Sequence, residues 1–540
     1  MMKLKTKYLK TLSEEDISKK LLYILLITVS LYFIYFFAFS EIRKIIAVVP
    51  DDAYYFFKIA ENVAHGKGLS FDGINKTNGF QPLWLYVLIP IYLIYSGSPE
   101  TMLRIILIFQ VGLITGAALI IYRVHADFFS RKISLISGIG YIMVVFVPST
   151  NGMESALLIL MLSLLFAYGW KGKVFSRHSP KRGLFFGIVL GLVMLARLDT
   201  VFLGAAISAF CVIQIAREPL KRRDHLIRLI LIITGASLIV SPYLLFNYLE
   251  FGSIMPISGA LKSSFPKISL SRDIINFFAK RYLLFAILAF VYFLWKIVSL
   301  KKFYNSANET RYYEICMLVL STAIVLHFAH TVIFMKWAVF GWHFIPYALF
   351  ITLAISEIIA FFLSSNWKII FNYIYWFGII VIIFAGGFII YKRNYRPLDK
   401  ISSWSVSSYN AAVWTRENTN KSDIIAMIDA GIFGYFSQRS VINLDGIVNT
   451  MKYQEILKNK KLNKYFKENK VTYFVQFVFK DYHNAFYNNY DTFSKTVPSH
   501  KYMIESDEII LHEHDEIYRS PPFDYFQYRS IFLMWKLSIN

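Results

Sequence analysis

Asp51-Asp52-Ala53-Tyr54-Tyr55, with the polar loop that runs on to Pro82-Leu83-Trp84, lies between two apolar stretches. The run from Leu21 to Phe39 brings the chain to one side of a bilayer, and the two adjacent carboxylates follow soon after. Acids at a membrane boundary are costly unless solvated or used, so such a pair is a functional hypothesis by default. The plain alternative is the solvated start of a loop.

The flanking sequence sets the environment of that pair. Of the 540 residues, 56% are hydrophobic, and the mean hydropathy is +0.48. Apolar runs near twenty residues recur as far as about residue 390, and roughly 20 apolar residues span a bilayer core of roughly 30 Å. The class is therefore a polytopic α-helical membrane protein. The formal charge of +22 does not point to nucleic acid, because Lys and Arg concentrate in short loops between apolar runs, as the positive-inside rule expects. The two cysteines, Cys211 and Cys316, sit inside apolar runs and have neither disulfide nor metal spacing. Six lysines precede the first run, which reads as a retained helix with a cytoplasmic N-terminus.

Loop charges assign the sides. Residues 40–82 carry five basic and five acidic residues, whereas Lys171 to Arg182 carries five basic residues and no acid. The acid pair is expected outside, opposite the basic loops. Spans are expected at 21–39, 103–122, 133–147, 153–170, 183–196, 200–216, 226–248, 282–300, 313–334, 338–363 and 369–391. Trp84–Ser96 is apolar but short, and reads as re-entrant or interfacial. That makes eleven crossings, and thirteen satisfy the same end points. From residue 394 polar and charged residues return, and residues 394–540 read as a soluble extracytoplasmic α/β or α+β domain. Strands are expected at 423–428, 440–444 and 471–477, with Gly431–Ser437 a short helix or turn.

A helix beginning after the acids places Tyr54, Lys58, Glu61 and Asn62 near one face, and the glycines after His65 end it. A partly desolvated carboxylate can take a proton from a hydroxyl nucleophile. Two side by side cannot both ionise cheaply, so their protons are coupled.

Four segments of this loop resemble the first-loop signature of the GT-C glycosyltransferase superfamily: Asp51-Asp52-Ala53-Tyr54, Ala60-Glu61-Asn62, Gly66-Lys67-Gly68-Leu69-Ser70-Phe71 and Gln81-Pro82-Leu83-Trp84. The likeness is to enzymes of the arabinofuranosyl- and mannosyltransferase type that use polyprenyl-phosphate sugars. Asn151-Gly152-Met153-Glu154-Ser155 resembles a Gly-Met-Glu turn of that family, and Leu195-Ala196-Arg197-Leu198-Asp199 its Ala-Arg-Pro-Asp turn, with Leu198 in the proline position. Phe251-Gly252 to Pro256 and Lys262, and the later Asp429-Ala430-Gly431 and Asp445-Gly446, are similar to further family stretches. In Trp342-His343-Phe344-Ile345-Pro346, His343 stands where the family carries arginine.

The resemblance implies a GT-C-like transmembrane module over residues 1–393 and an extracytoplasmic domain over 394–540, in a cell membrane. It implies inverting transfer from a polyprenyl-phosphate sugar to a cell-envelope glycan, lipid or protein. Asp51 would be the base and Asp52 its partner. Arg197 would meet the lipid phosphate, with Lys58, Lys262 and Lys336 as alternative cations. Glu61, Asn62, Glu154, Asp199 and His343 complete the substrate-binding set. The acids allow a divalent metal without requiring one. Plain readings stand beside these roles: an Arg197–Asp199 salt bridge, Glu154 as an acid at a helix start, and His343 in packing. His327 and His330, spaced i, i+3, have no carboxylate near in sequence. Two rivals remain, a transporter or flippase of lipid-linked sugars, which would favour inverted repeats, and a non-catalytic assembly protein.

Overall fold

Runs of Leu, Ile, Phe and Val form helices throughout the first part of the chain. The computed structural model describes residues 2–175, 180–298, 308–337, 340–364, 368–394, 404–479, 492–525 and 528–538. Among these, seven helices are long and apolar enough to cross a bilayer: Lys19–Phe39, Pro99–Phe128, Arg131–Ser149, Leu198–Arg217, Pro219–Phe251, Tyr312–Phe334 and Trp342–Ala360. Arg272–Lys280 and Leu283–Val298 meet at 79° and make an eighth if they are one span. The chain is an integral membrane protein.

This count is below the eleven expected. The spans expected at 153–170 and 183–196 fall on shorter apolar helices, namely Ser155–Lys171 and Pro180–Ala196, whereas the one expected at 369–391 falls on the 27-residue helix Lys368–Asn394. Hydropathy marks such segments, but a 17-residue helix rises only about 26 Å, short of a core of roughly 30 Å. The spans expected at 282–300 and 338–363 run partly over residues outside the described ones. Pro82–Ile94 has 13 residues and rises about 20 Å, too little to cross.

Small residues let helix backbones touch. A Cβ at Gly187 would lie 2.2 Å from the Ile232 carbonyl oxygen, so Pro180–Ala196 and Arg222–Phe251 pack with backbones in contact there.

The C-terminal part opens with the helix Trp404–Asn418. Its strands among the described residues are β1 (Ile424–Met427), β2 (Ser440–Asn443), β3 (Val471–Phe479), β4 (Thr492–Lys495), β5 (Pro498–Ser499), β6 (Ile504–Glu505), β7 (Ile509–His512), β8 (Glu516–Arg519), β9 (Phe523–Tyr525) and β10 (Tyr528–Lys536). The main sheet runs β2-β1-β3-β10-β8, with β9 also on β10. β2, β1 and β3 are parallel, and β10 pairs antiparallel with β3. The expected strands are thus present. Side chains alternate across β1: Ile425 and Met427 join the core shared with the helical bundle. Ala426 joins a second core with Tyr453, Leu457, Phe466 and Trp535. One face of the sheet therefore rests on the membrane module, and the other is covered by its own helices.

Candidate active site

Pro50, extended at φ −68°, ψ 153°, precedes the helix Asp51–Ala64 and sets both acids in its first turn, where the helix dipole favours them. His65 and Gly66, at φ +74°, close it. The loop beyond ties back through Asn62, whose amide donates to the Ser70 and Phe71 carbonyls at 2.8 and 3.0 Å.

This loop is the hub of the site. Asn78 Oδ1 accepts from the Ile257 amide at 2.9 Å, seating the helix Ile257–Lys262. Gln81 Oε1 accepts from the Leu198 amide at 3.1 Å, holding the Arg197 turn. The Gly152 turn packs on Ala53 and Phe57. Trp84 Nε1 donates to the Gly152 carbonyl at 3.1 Å. Ser440 Oγ donates to the Asp72 carbonyl at 2.6 Å, and Asn75 donates to the Tyr465 hydroxyl at 3.0 Å, joining the loop to the C-terminal sheet domain.

The two acids divide their contacts. Asp51 Oδ2 accepts from the Gly431 amide at 3.0 Å and Oδ1 from the Ile432 amide at 2.7 Å. Burial pushes the Asp51 carboxyl well above the usual carboxylate range, against the pull of those amides. The Asp52 carboxylate is 28% exposed, and Lys262 Nζ lies 3.9 Å from it.

Arg197 is 4% exposed and held on two edges. Its Nε donates to both Asp199 oxygens at 2.9 Å, and Nη1 donates to Glu154 Oε1 at 2.8 Å and the Trp342 carbonyl at 3.1 Å. The plain reading, a salt bridge to Asp199, is therefore realised, with Glu154 as a second anion. Arg197 Nη2 donates to no other described residue. His327 Nε2 stands 3.6 Å from Asp199, so a carboxylate distant in sequence does reach this histidine.

Of the other expected residues, His343 adjoins the Arg197 cluster through Trp342, and Lys58, Glu61 and Lys336 have partners of their own. Lys58 donates to Glu61 at 2.8 Å, and Gln438 donates to the other Glu61 oxygen at 3.3 Å, which knits the helix to the C-terminal domain. Lys336 is exposed, and its backbone amide donates to the Lys262 carbonyl at 2.9 Å. His343 Nδ1 engages the Phe340 backbone. Among the described residues no three His, Cys, Asp or Glu side chains converge as a metal-binding group.

A family described as "Domain of unknown function (DUF8728)" matches residues 390–514. No curated protein matches the chain. Among solved structures, ArnT from Cupriavidus metallidurans bound to undecaprenyl phosphate aligns over 96% of this chain and 98% of its own, at 8% identity and a TM-score of 0.51. The chain has the GT-C fold. The archaeal oligosaccharyltransferase AglB from Archaeoglobus fulgidus, solved with an inhibitory peptide and a dolichol-phosphate, aligns over 79% of this chain at 12% identity and a TM-score of 0.44, and this chain spans 65% of it. Apo ArnT from Cupriavidus metallidurans aligns at 11% identity over 90% of this chain and 97% of its own, with a TM-score of 0.43.

Within the GT-C fold, two cavities share Leu162, Leu203 and Leu320. One, of about 40 Å³, reaches Asp199 and His327. The other, of about 50 Å³, lies among Phe166, Phe186 and Tyr312. Two small apolar cavities with a common wall therefore lie beside the Arg197 cluster.

Sequence reasoning missed Gln110. It clamps the turn before Glu154, accepting from the Gly152 amide at 2.8 Å and donating to the Met153 carbonyl at 2.6 Å. A lone amide inside an apolar span was the available signal. The Asp429-Ala430-Gly431 turn sits directly on Asp51. A Cβ at Gly431 would stand 2.3 Å from the Asp51 carbonyl oxygen. Gly431→Ala must open that junction, so we expect a loss of about 1–3 kcal/mol, read as a lower unfolding midpoint.

Burial, Asp445 and Asp52 push the Asp429 carboxyl up to about 7. An acid raised in the folded state binds protons more tightly than in the unfolded chain, so its contribution is best below pH 4 and is lost as pH rises towards 7. Asp429→Asn should be neutral near pH 4 and stabilising by on the order of 1–3 kcal/mol at pH 8. Thermal unfolding at the two pH values checks this.

Proposed function

We propose that this protein transfers a sugar from a polyprenyl-phosphate donor to a hydroxyl on an extracytoplasmic acceptor, with inversion at the anomeric carbon. The observation that carries the reading is the acid pair with Lys262 3.9 Å from Asp52, near the Arg197 cluster, where the Asp52 charge acts on Glu154. These cations suit a lipid phosphate. Asp51 takes the proton of the acceptor hydroxyl as its oxygen bonds to the anomeric carbon. The bond to the lipid phosphate breaks, and Lys262 and Arg197 meet the charge of the leaving phosphate. Each Asp51 oxygen still has a lone pair beyond the one given to an amide, and its raised basicity suits a base.

A second reading makes Asp52 the base, because its carboxylate is the more open and pairs with Lys262 at 3.9 Å. Purified protein in liposomes, given radiolabelled polyprenyl-phosphate-linked glucose, mannose and arabinose, should release polyprenyl phosphate with loss of the sugar from the lipid. No turnover of any of these donors would sink the proposal.

A further inference from the structure

We propose that the loop between the helices Arg222–Phe251 and Arg272–Arg281 seats in the bilayer leaflet on the side of the acid pair. Its apolar apex enters the lipid, and its basic residues meet anionic phospholipid headgroups. The inference stands apart from the transfer reading above.

The helix Asn308–Phe334 fixes where this loop lies. The last carbonyls of a helix have no partner within it. Here the Phe334 carbonyl accepts the Ser264 amide at 2.7 Å, and the Ile333 carbonyl accepts the Ser269 amide at 3.0 Å. Tyr312–Phe334 is one of the helices able to cross the bilayer, so the loop caps a span where it leaves the hydrocarbon. Between the two serines the chain makes a tight turn. The Lys267 amide donates to the Ser264 carbonyl at 2.9 Å, and the Ser264 hydroxyl donates to the Lys267 carbonyl at 2.7 Å. At the root of the loop, the Lys262 carbonyl accepts the Lys336 amide at 2.9 Å, and Lys262 Nζ stands 3.9 Å from Asp52. The loop is therefore on the same side as the acid pair.

The apex of the loop is apolar and bare. Phe265 is 60% exposed, Ile268 74% and Leu270 62%. The Phe265 ring packs on Phe334 at 5.3 Å between centroids, which turns the apex towards the span. A group of large apolar side chains left in water is costly, and such patches mark contact with a membrane or with another protein. The lipid is the occupant already at hand, because the span ends at the base of the loop. The helix Leu283–Val298 bares Leu284, Leu288 and Val291 as a lipid-facing helix does, and Arg272–Lys280, set at 79° to it, links it to the loop.

The charge selects the kind of lipid. Residues 252–281 carry five basic residues and one acid, although the positive-inside rule gathers Lys and Arg on the side opposite the acid pair. Lys267, Arg272 and Lys280 are exposed, and none forms an ion pair with a described residue. Cations flanking an apolar apex are drawn to an anionic leaflet.

The test uses the full chain in vesicles of phosphatidylcholine and phosphatidylglycerol, with Cys211 and Cys316 replaced by alanine. Bimane is attached to Ile268→Cys, to Leu270→Cys and, as a control in the C-terminal domain, to Met503→Cys, an exposed position. Phospholipids brominated on their chains should quench the label at 268 and 270 strongly and aqueous iodide weakly, with the reverse at 503. Strong iodide quenching at 268 and 270 overturns the inference. So does weak quenching by both agents, which would put a protein partner or a second copy over the apex. At equal mole fraction, brominated phosphatidylglycerol should quench the label at 268 about twofold or more above brominated phosphatidylcholine. The triple variant Lys267→Ser, Arg272→Ser, Lys280→Ser should remove that difference. Equal quenching by the two lipids in the otherwise unchanged chain, or a difference that survives the triple variant, overturns the role of the basic residues.

Discussion

Asp51→Asn is expected to lower kcat for sugar transfer by roughly 10²- to 10⁴-fold, the usual worth of a positioned general base. The substitution removes the proton acceptor with little change in volume. It also places an NH2 group opposite one of the Gly431 and Ile432 amides, where two donors now face each other. Some loss of stability is therefore expected as well, about 1–3 kcal/mol for the hydrogen bond broken. The kinetic and structural parts separate in a comparison with Gly431→Ala, which disturbs the same junction and keeps the carboxylate. Asp51→Asn should show the far larger kcat loss at a similar unfolding midpoint. Asp52→Asn should lower the rate less and weaken donor binding, because Lys262 loses the carboxylate that faces it. The opposite ranking of kcat losses would make Asp52 the base. Steady-state rates with donor varied at fixed acceptor read both quantities.

Arg197→Ala should be the most destabilising single change at the site. It leaves Glu154 and Asp199 without the cation that both now bind, and removing one partner of a buried ion pair typically costs about 3–5 kcal/mol. Glu154 Oε2 already lacks a hydrogen-bond partner and is shielded from solvent, so Glu154 has little else to turn to. We expect little folded protein from this variant. The double variant Arg197→Gln with Glu154→Gln removes one positive and one negative charge together and should recover much of the folded yield. That recovered protein then isolates the role of the guanidinium. Its KM for the polyprenyl-phosphate sugar should rise by about tenfold or more, since a charge-assisted hydrogen bond is worth roughly 1.5–3 kcal/mol. Recovered folding with unchanged donor KM would remove Arg197 from phosphate binding and leave it a structural ion pair. Size-exclusion yield and donor kinetics are the measurements.

How much of this was legible beforehand differs by level. The helix Asp51–Ala64 could be read to within two residues, because the acids mark its start and His65-Gly66 its stop. The parallel strands β1 to β3 could be read because each is a short apolar run between turn residues. β10 was not read. Its partner β3 lies about sixty residues earlier in the chain, and no local pattern announces such a pairing. The helix Trp404–Asn418 escaped for a related reason, since its sequence carries little apolar periodicity and its packing is tertiary. In the site itself, the acids and Arg197 stood out by residue type. Their partners did not. The amides that bind Asp51 lie 380 and 381 positions away, and the acid that bridges to Arg197 lies 43 positions before it.

That long separation has a consequence for how the protein is made. Chains are built from the N-terminus, and domains fold as they emerge. By the time the last membrane helix, ending at Asn394, has been inserted, the acid pair, Lys262 and Arg197 are all in place. The turn at Gly431 that receives Asp51 is still to be synthesised. A half-made chain therefore holds its acids without the roof that orders them. The protein reaches its finished form only when the segment carrying Gly431 has been delivered and folded, so the order of synthesis itself delays completion of the junction at Asp51.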